Sequence, residues 1–133
     1  MLTAQVHEVL KNAIRPGIST YELDQIAEKF IRDNDAIPTC KGYEGFPATL
    51  CTSVNDEVVH GIPSKKRKLK EGDIIDIDVV ACYKGYHADA SKTFAVGKIS
   101  EDKQYLLEHT EIKLVDLFLH TFIQVVNSGF ICQ

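Results

Sequence analysis

The sequence predicts an α+β domain in which helices flank an antiparallel sheet. Two amphipathic helical patterns open the chain, a loop-rich segment with short β-type pieces follows, and a long hairpin pattern occupies residues 73–97. Consecutive strands grouped between helices favour antiparallel pairing over a doubly wound parallel sheet. The length of 133 residues fits one domain, so residues 1–133 are predicted to fold together.

Two helices are predicted at the start of the chain. The first covers residues 2–14. Its apolar residues recur at helical spacing on one face, and they are Leu2, Val6, Val9, Leu10, Ala13 and Ile14. It ends at Pro16-Gly17, because the residue before a proline is pushed out of the helical region. Ser19, with Glu22 three residues later, predicts a capping box for the second helix. The apolar stripe of that helix contains Leu23, Ile26, Ala27, Phe30 and Ile31.

The middle of the chain has the composition of a loop. Residues 40–63 contain several glycines and prolines, with β-type pieces near 49–53 and 57–60. Five of the six residues at 65–70 are basic, which is a pattern found in nucleic-acid patches. The net charge of −4 instead favours a solvated loop there and no nucleic-acid partner. After the hairpin, Ser100 followed by two acidic residues predicts a third helix.

The hairpin carries aspartates, which strands disfavour. Lys84-Gly85 is the natural two-residue turn, so paired residues have numbers that add up to 169. Asp78 and Asp89 then lie on one face as diagonal neighbours, roughly 7–8 Å apart at the backbone. Two like charges on a half-buried face are costly without a cation between them, which suggests a divalent metal.

Another interpretation of the hairpin needs no metal. Asp76 and Asp78 also fit the solvated side of a strand whose dry side is Ile75, Ile77 and Val79. His87 lies on the same face as Asp89 and could be a third ligand, although the pattern favours a solvent-facing or hydrogen-bonded histidine beside a turn.

Amino-acid composition narrows the cellular environments in which the protein is expected. Hydrophobic residues make up 44% of the chain, enough for a packed core. The four cysteines form no CxxC pair, which favours a reduced, cytoplasmic environment. No signal peptide is expected, and the apolar run at 114–126 is too short and too polar to span a membrane.

Five segments together closely resemble type I methionine aminopeptidases. They are "RPGIST" (15–20), "CKGYEGFPATLC" (40–51), "SVNDEVVHGIP" (53–63), "LKEGDIIDIDV" (69–79) and "GYHADASKTFAVG" (85–97). The resemblance runs from about residue 2 to about residue 112. It implies a pita-bread fold and removal of the initiator methionine from nascent polypeptides, with the ribosome as a further partner. It also implies two divalent metals (Co, Mn, Fe or Zn) that activate a water at neutral pH.

The resemblance assigns roles to individual residues. Asp78 and Asp89 correspond to metal ligands, and His60 to the histidine that contacts the scissile amide; His87 corresponds to no ligand. The methionine pocket would be formed by Cys40, Tyr43, Phe46 and Cys51, for which ordinary core packing is the alternative. Backbone carbonyls near Asn55 and Glu57 would hold a monovalent cation.

The sequence departs from the family in its second half. The known enzymes are considerably longer, and they take further ligands from Gly-His-Gly and Glu-Pro segments and from a late glutamate, none of which occurs here. His109 and His120 lack any matching context. Residues 113–133 are therefore predicted to be a divergent tail after the N-terminal half of the domain, from truncation or a frameshift near residue 113. The alternative to an enzyme is an inactive truncated fragment or a non-catalytic interaction protein that keeps half of the fold. Exposed sheet surface also predicts self-association.

Overall fold

A computed structural model of the protein describes residues 2–110, which fall into two compact units. The first extends to Ile99 and contains helices α1 (Leu2–Ala13) and α2 (Thr20–Asp33) with four strands. The second begins at Ser100 and contains a third helix, α3, over residues 101–110. The predicted tail, with His120, lies outside the described residues, and a single domain over 1–133 stays a prediction.

The sheet is built around one long strand. The strands are β1 (Ile37–Pro38), β2 (Leu50–Val54), β3 (Ile74–Tyr83) and β4 (Tyr86–Ala95). β4 pairs with β3 along its full length, whereas β1 and β2 pair with β3 through separate parts of it. Every pairing is antiparallel, which confirms the predicted α+β class.

The hairpin has the predicted register. Asp78 lies opposite Ser91, and Val80 lies opposite Asp89. Both turn residues have left-handed backbones, with φ of 51° at Lys84 and 84° at Gly85. Positive φ at both central positions matches the right-handed twist of the paired strands, so this turn fixes the register.

The two faces of β3 have different surroundings. Its odd-numbered side chains, from Ile75 to Ala81, are buried, while the even-numbered ones are half-buried. The buried face contributes to one core with the predicted helical stripes, whose fully buried members are Val6, Leu10, Leu23, Ala27 and Ile31. The core therefore lies on the helix side of the sheet, and the aspartates project from the other face.

The helix starts follow the sequence signals. Ser19 caps α2: its Oγ accepts from the Glu22 backbone N–H at 3.2 Å, and the Glu22 carboxylate accepts from the Ser19 N–H at 2.8 Å. This confirms the capping box. Ser100 similarly accepts from the Lys103 N–H at 3.4 Å at the start of α3. No helix in the described part of the chain is long and apolar enough to cross a bilayer.

The predicted β-type piece at 57–60 is wrong. Those residues are outside any strand and exposed, with Val58 at 87% and Val59 at 65%. The β-branched side chains of Val58 and Val59 suit a strand, but among the described residues no strand pairs with this segment, which is tied to the end of β2 only through the bonds of Glu57 to Val54. The sequence also gave no sign of β1 or of a 3-10 turn at Tyr43–Gly45.

Candidate active site

The carboxyl groups of Asp78 and Asp89 form the centre of the candidate site. Asp78 is half-buried in β3, directly between Cys51 of β2 and Ser91 of β4. Its pKa is raised to about 6, first by burial and then by the charge of Asp89 and a hydrogen bond shared with that carboxyl. The two groups are therefore in contact, as the hairpin register predicted.

The surroundings of Asp78 fit a bound cation. Its Oδ1 is buried and has no hydrogen-bond partner among the described residues. Carboxylate oxygens are the ligands that hard and borderline divalent cations prefer, and a cation would satisfy this oxygen and relieve the repulsion. Within residues 2–110, however, no group of three or more His, Cys, Asp or Glu side chains is arranged to hold a metal ion. Asp78 and Asp89 would thus form only part of a metal site.

Asp76 has a different environment from its neighbour in β3. Its Oδ2 accepts from the Ser91 hydroxyl at 2.7 Å, and its Oδ1 accepts from the Thr93 hydroxyl at 2.9 Å. Both oxygens are satisfied within the hairpin, so Asp76 corresponds to the solvated-strand interpretation. His87 is exposed beside the turn, opposite Cys82.

A cavity of about 510 Å³ adjoins the sheet and brings together all five residues predicted to bind substrate. It is lined by Cys40, Tyr43, Phe46, Cys51 and His60. Tyr43 is 69% exposed and Phe46 is half-buried, so neither is a core residue, contrary to the alternative of ordinary packing. Cys51 is buried, yet it too lines the cavity.

The cavity thiols are protonated near neutral pH. Burial, followed by the charge of Asp78, raises the pKa of Cys51 to about 11, and burial also raises the pKa of Cys40. A thiolate is the nucleophilic form of cysteine, so these groups act as soft apolar walls. Cys40, Cys51 and Cys82 are free thiols, and Cys132 lies outside the described residues.

His60 lies near both the cavity and the Asp78 carboxylate. It lines the cavity, and it lies close enough to Asp78 to oppose slightly the upward effects of burial and of Asp89 on the pKa of that carboxyl. Its backbone is left-handed, with φ of 59°. Such a conformation costs a non-glycine residue about 1–2 kcal/mol, and it persists only where neighbouring contacts impose it.

Residues 1–129 match Peptidase_M24, metallopeptidase family M24. The chain belongs to this family. It is 57% identical over 113 residues to methionine aminopeptidase 1 of Bacillus subtilis and 50% identical over 110 residues to the methionine aminopeptidase of Clostridium acetobutylicum. These alignments cover 85% and 83% of this chain but 45% and 44% of the relatives.

The solved structures agree with the M24 assignment. The methionine aminopeptidase of Rickettsia prowazekii superposes with a TM-score of 0.78 at 36% identity, covering 80% of this chain and 43% of that structure. The chain thus has the pita-bread fold of M24 enzymes and spans about half the length of the relatives it matches. The family match extends to residue 129, into the segment predicted to be divergent, and that divergence stays a prediction.

Several residues in and around the candidate site gave no signal in the sequence. Glu44, Pro47 and Ile62 also line the cavity. Buried Asp24 of α2 accepts from the Thr49 and Leu50 backbone N–H groups at 2.8 and 2.9 Å, which fixes the start of β2 just before Cys51. Asp24 is a polar residue in a helix whose predicted buried stripe is apolar, so only the three-dimensional contact reveals its role.

A smaller cavity of about 380 Å³ occupies the region predicted for a monovalent cation. Its lining includes Ser53, Asn55, Glu57 and Asp76. Asn55 has a left-handed backbone with φ of 57°, and the Glu57 carboxylate accepts from the Val54 N–H at 2.8 Å. The cation itself stays a prediction.

Proposed function

We propose that this chain provides half of a metal-dependent aminopeptidase site that removes N-terminal methionine from nascent proteins and peptides. One observation carries the proposal: the contacting Asp78–Asp89 carboxyl pair lies beside an apolar, thiol-lined cavity that His60 also lines. The names of the relatives support the same activity.

The cavity suits a methionine side chain. A flexible thioether prefers a soft, apolar surface with aromatic contacts, which Cys40, Phe46 and Cys51 supply. Their thiols are protonated, so no fixed negative charge opposes burial of the apolar chain. Tyr43 and Ile62 stand exposed at the same cavity, where they shield part of it from water.

Asp78 and Asp89 would hold divalent metal, with Co, Mn, Fe and Zn as candidates. When bound, the metal supplies an activated water and polarises the scissile carbonyl. His60 would donate a hydrogen bond to the amide or to the oxygen on which charge develops. The remaining ligands would come from polypeptide beyond the described residues or from a second chain, because within residues 2–110 no third His, Cys, Asp or Glu side chain is arranged to join Asp78 and Asp89 around a metal ion. Nascent N-termini and the ribosome are the proposed partners, and the cytoplasm is the proposed location.

Hydrolysis of a Met-Ala-Ser peptide by the 133-residue chain, with added Co²⁺ or Mn²⁺, tests this proposal. Because the ligand set is incomplete, we expect metal-dependent release of methionine to be slow and to be abolished by Asp89→Ala. His87→Ala is the matched control, two residues away on the same face of β4, and it should retain the wild-type rate. Absence of turnover with either metal, or turnover that survives Asp89→Ala, would contradict the proposal and favour a non-catalytic interaction protein.

A further inference from the structure

The conformation of His60 has a cause that lies in the neighbouring strand. His60 is exposed, and within the described residues its ring takes part in no hydrogen bond. Packing and ring contacts therefore do not fix the direction in which the imidazole points. Its left-handed backbone does, and residues in such conformations are held there by the contacts of their neighbours.

The residue after His60 is locked against β2. The Gly61 carbonyl accepts from the Thr52 backbone N–H at 2.7 Å, and the Gly61 N–H donates to the Ser53 hydroxyl oxygen at 3.2 Å. A β-carbon on Gly61 would lie 2.1 Å from the Thr52 carbonyl oxygen, a separation that no real contact tolerates. Only glycine can approach the strand this closely.

Ser53 is well placed to act as an anchor. It is 4% exposed and lies inside β2, paired with Asp76 of β3. The Gly61 N–H belongs to the His60–Gly61 peptide, whose orientation sets the ψ angle of His60, whereas the Gly61 carbonyl belongs to the next peptide, which the Thr52 N–H holds. The Ser53 hydroxyl therefore restrains the peptide on which the left-handed conformation of His60 depends.

We infer that Ser53 is a positioning residue, whose hydroxyl holds the His60–Gly61 peptide so that the imidazole points into the site. The role rests on the proposed function, because it matters for turnover only if His60 contacts the substrate. Ser53 itself touches neither the cavity of Cys40 and Phe46 nor the Asp78–Asp89 pair. Its loss should consequently alter the reaction step more than substrate binding.

Two variants in adjacent positions separate positioning from general stability. Ser53→Ala removes the acceptor for the Gly61 N–H. Thr52→Val is the matched control: it also removes a β2 hydroxyl, but one whose 3.4 Å bond goes to a carbonyl that the Thr52 N–H already satisfies. Ser53→Thr keeps the hydroxyl and should rescue the wild-type behaviour.

Nuclear magnetic resonance of the full chain gives a readout independent of activity. In Ser53→Ala we expect about tenfold faster hydrogen exchange at the Gly61 amide, the scale of one lost hydrogen bond, and loss of positive φ at His60. Thr52→Val and Ser53→Thr should keep both. The inference is overturned if Ser53→Ala leaves both signals unchanged, if Thr52→Val changes them equally, or if Ser53→Ala unfolds the chain, which would indicate a structural role.

The peptidase assay supplies the second readout. Ser53→Ala should lower kcat about 10- to 100-fold with KM near the wild-type value, as expected when a reacting group is misplaced. An unchanged kcat in a Ser53→Ala chain that has lost the His60 conformation would overturn the role. If the wild-type chain shows no turnover, the proposed function fails, and the exchange and φ measurements still decide whether Ser53 positions His60.

Discussion

At the scale of single residues, the hairpin places negative charge where burial opposes it. Asp78 is half-buried, contacts Asp89 and has a buried oxygen with no hydrogen-bond partner in the part of the chain that the structure describes. Asp76, two residues earlier, satisfies both oxygens with hydroxyl groups. Two aspartates on one strand face therefore have opposite effects on the fold, and only one of them has the environment of a ligand.

Replacing these two aspartates should change stability in opposite directions. Asp78→Asn removes a repelled, partly desolvated charge, so we expect it to raise the free energy of unfolding in metal-free buffer at pH 7 by about 1 kcal/mol. Asp76→Asn weakens two hydroxyl bonds to a carboxylate and should lower it by about 1 kcal/mol. Urea unfolding measures both changes in stability. Destabilisation by Asp78→Asn would contradict the interpretation that burial and repulsion from Asp89 disfavour the Asp78 carboxylate.

His7 should make the fold sensitive to acid. It is buried in α1, and its Nε2 lies 3.0 Å from the Ile77 carbonyl oxygen, to which the neutral ring can donate. Burial is the largest influence on its pKa, which lies below the ordinary value of 6.5. Below pH 6.5 the unfolded chain therefore binds a proton that the folded chain does not, and stability falls with falling pH until the folded pKa is reached.

The slope of the free energy of unfolding against pH that His7 contributes is expected to be at most about 1.4 kcal/mol per pH unit, the value for one bound proton. His7→Gln keeps an N–H donor for Ile77 and removes the titrating ring, so it should abolish this part of the slope. Chemical unfolding between pH 5 and pH 8, values that bracket an ordinary histidine, measures it. An identical slope in wild type and His7→Gln would show that His7 is not its source.

The role of a residue could be predicted from spacing only where that residue lies in a helix, a strand or a tight turn of regular geometry. The diagonal placement of Asp78 and Asp89 follows from the turn, because two left-handed residues set the register. His60 and Asn55 also have positive φ, but the hydrogen bonds at or beside them reach other segments of the chain, which no local pattern records. Resemblance to the family, and not spacing, identified His60 and the cavity residues.

At the scale of elements, strong local signals predicted the structure well and weak ones did not. The helical stripes, the capping box and the hairpin register are all confirmed, since each depends on periodicity or on a turn of few residues. β1 is two residues long and includes a proline, so it has no alternation to detect. The 57–60 segment has strand propensity but no sheet partner, and tertiary context overrides propensity in such cases.

The capping box of α2 should make a measurable contribution to stability. Ser19→Ala removes the hydroxyl that accepts from the Glu22 N–H and donates to the Glu22 carboxylate, while the backbone Ser19 N–H keeps its bond to Glu22, so we expect a loss of about 1 kcal/mol in the free energy of unfolding. Ser19→Asp keeps a capping acceptor and serves as the control, although its charge faces Glu22. Urea denaturation of the two variants gives the comparison, and a Ser19→Ala chain as stable as the control would show that the cap is redundant.

At the scale of the whole molecule, the two faces of the sheet are unequal. One face contributes to a continuous core with α1 and α2, while the other has half-buried side chains and borders the cavity. The chain spans about 45% of the length of its M24 relative from Bacillus subtilis. More than half of that relative's length thus lies outside the aligned segment.

Exposed apolar residues beside the face of the sheet that borders the cavity should cause self-association. Val58, Val59, Ile62 and Tyr43 are all more than half exposed. Light scattering over a concentration series should show a mass that rises with concentration, and Val59→Lys should reduce the rise. Tyr86→Lys, at the hairpin turn, is the control for simply removing an exposed apolar group. A monomer at every concentration would count against association through this surface.

The most direct test of the central claim is Mn²⁺ calorimetry on the chain. If Asp78 and Asp89 form half of a metal centre, binding should be weak, with Kd on the order of 10⁻⁴–10⁻³ M, because the ligand set is incomplete. Asp89→Asn should abolish the signal, and His87→Gln should leave it unchanged. Two tight sites in the wild-type chain, or binding that survives Asp89→Asn, would contradict the assignment of these carboxylates as half of a metal centre.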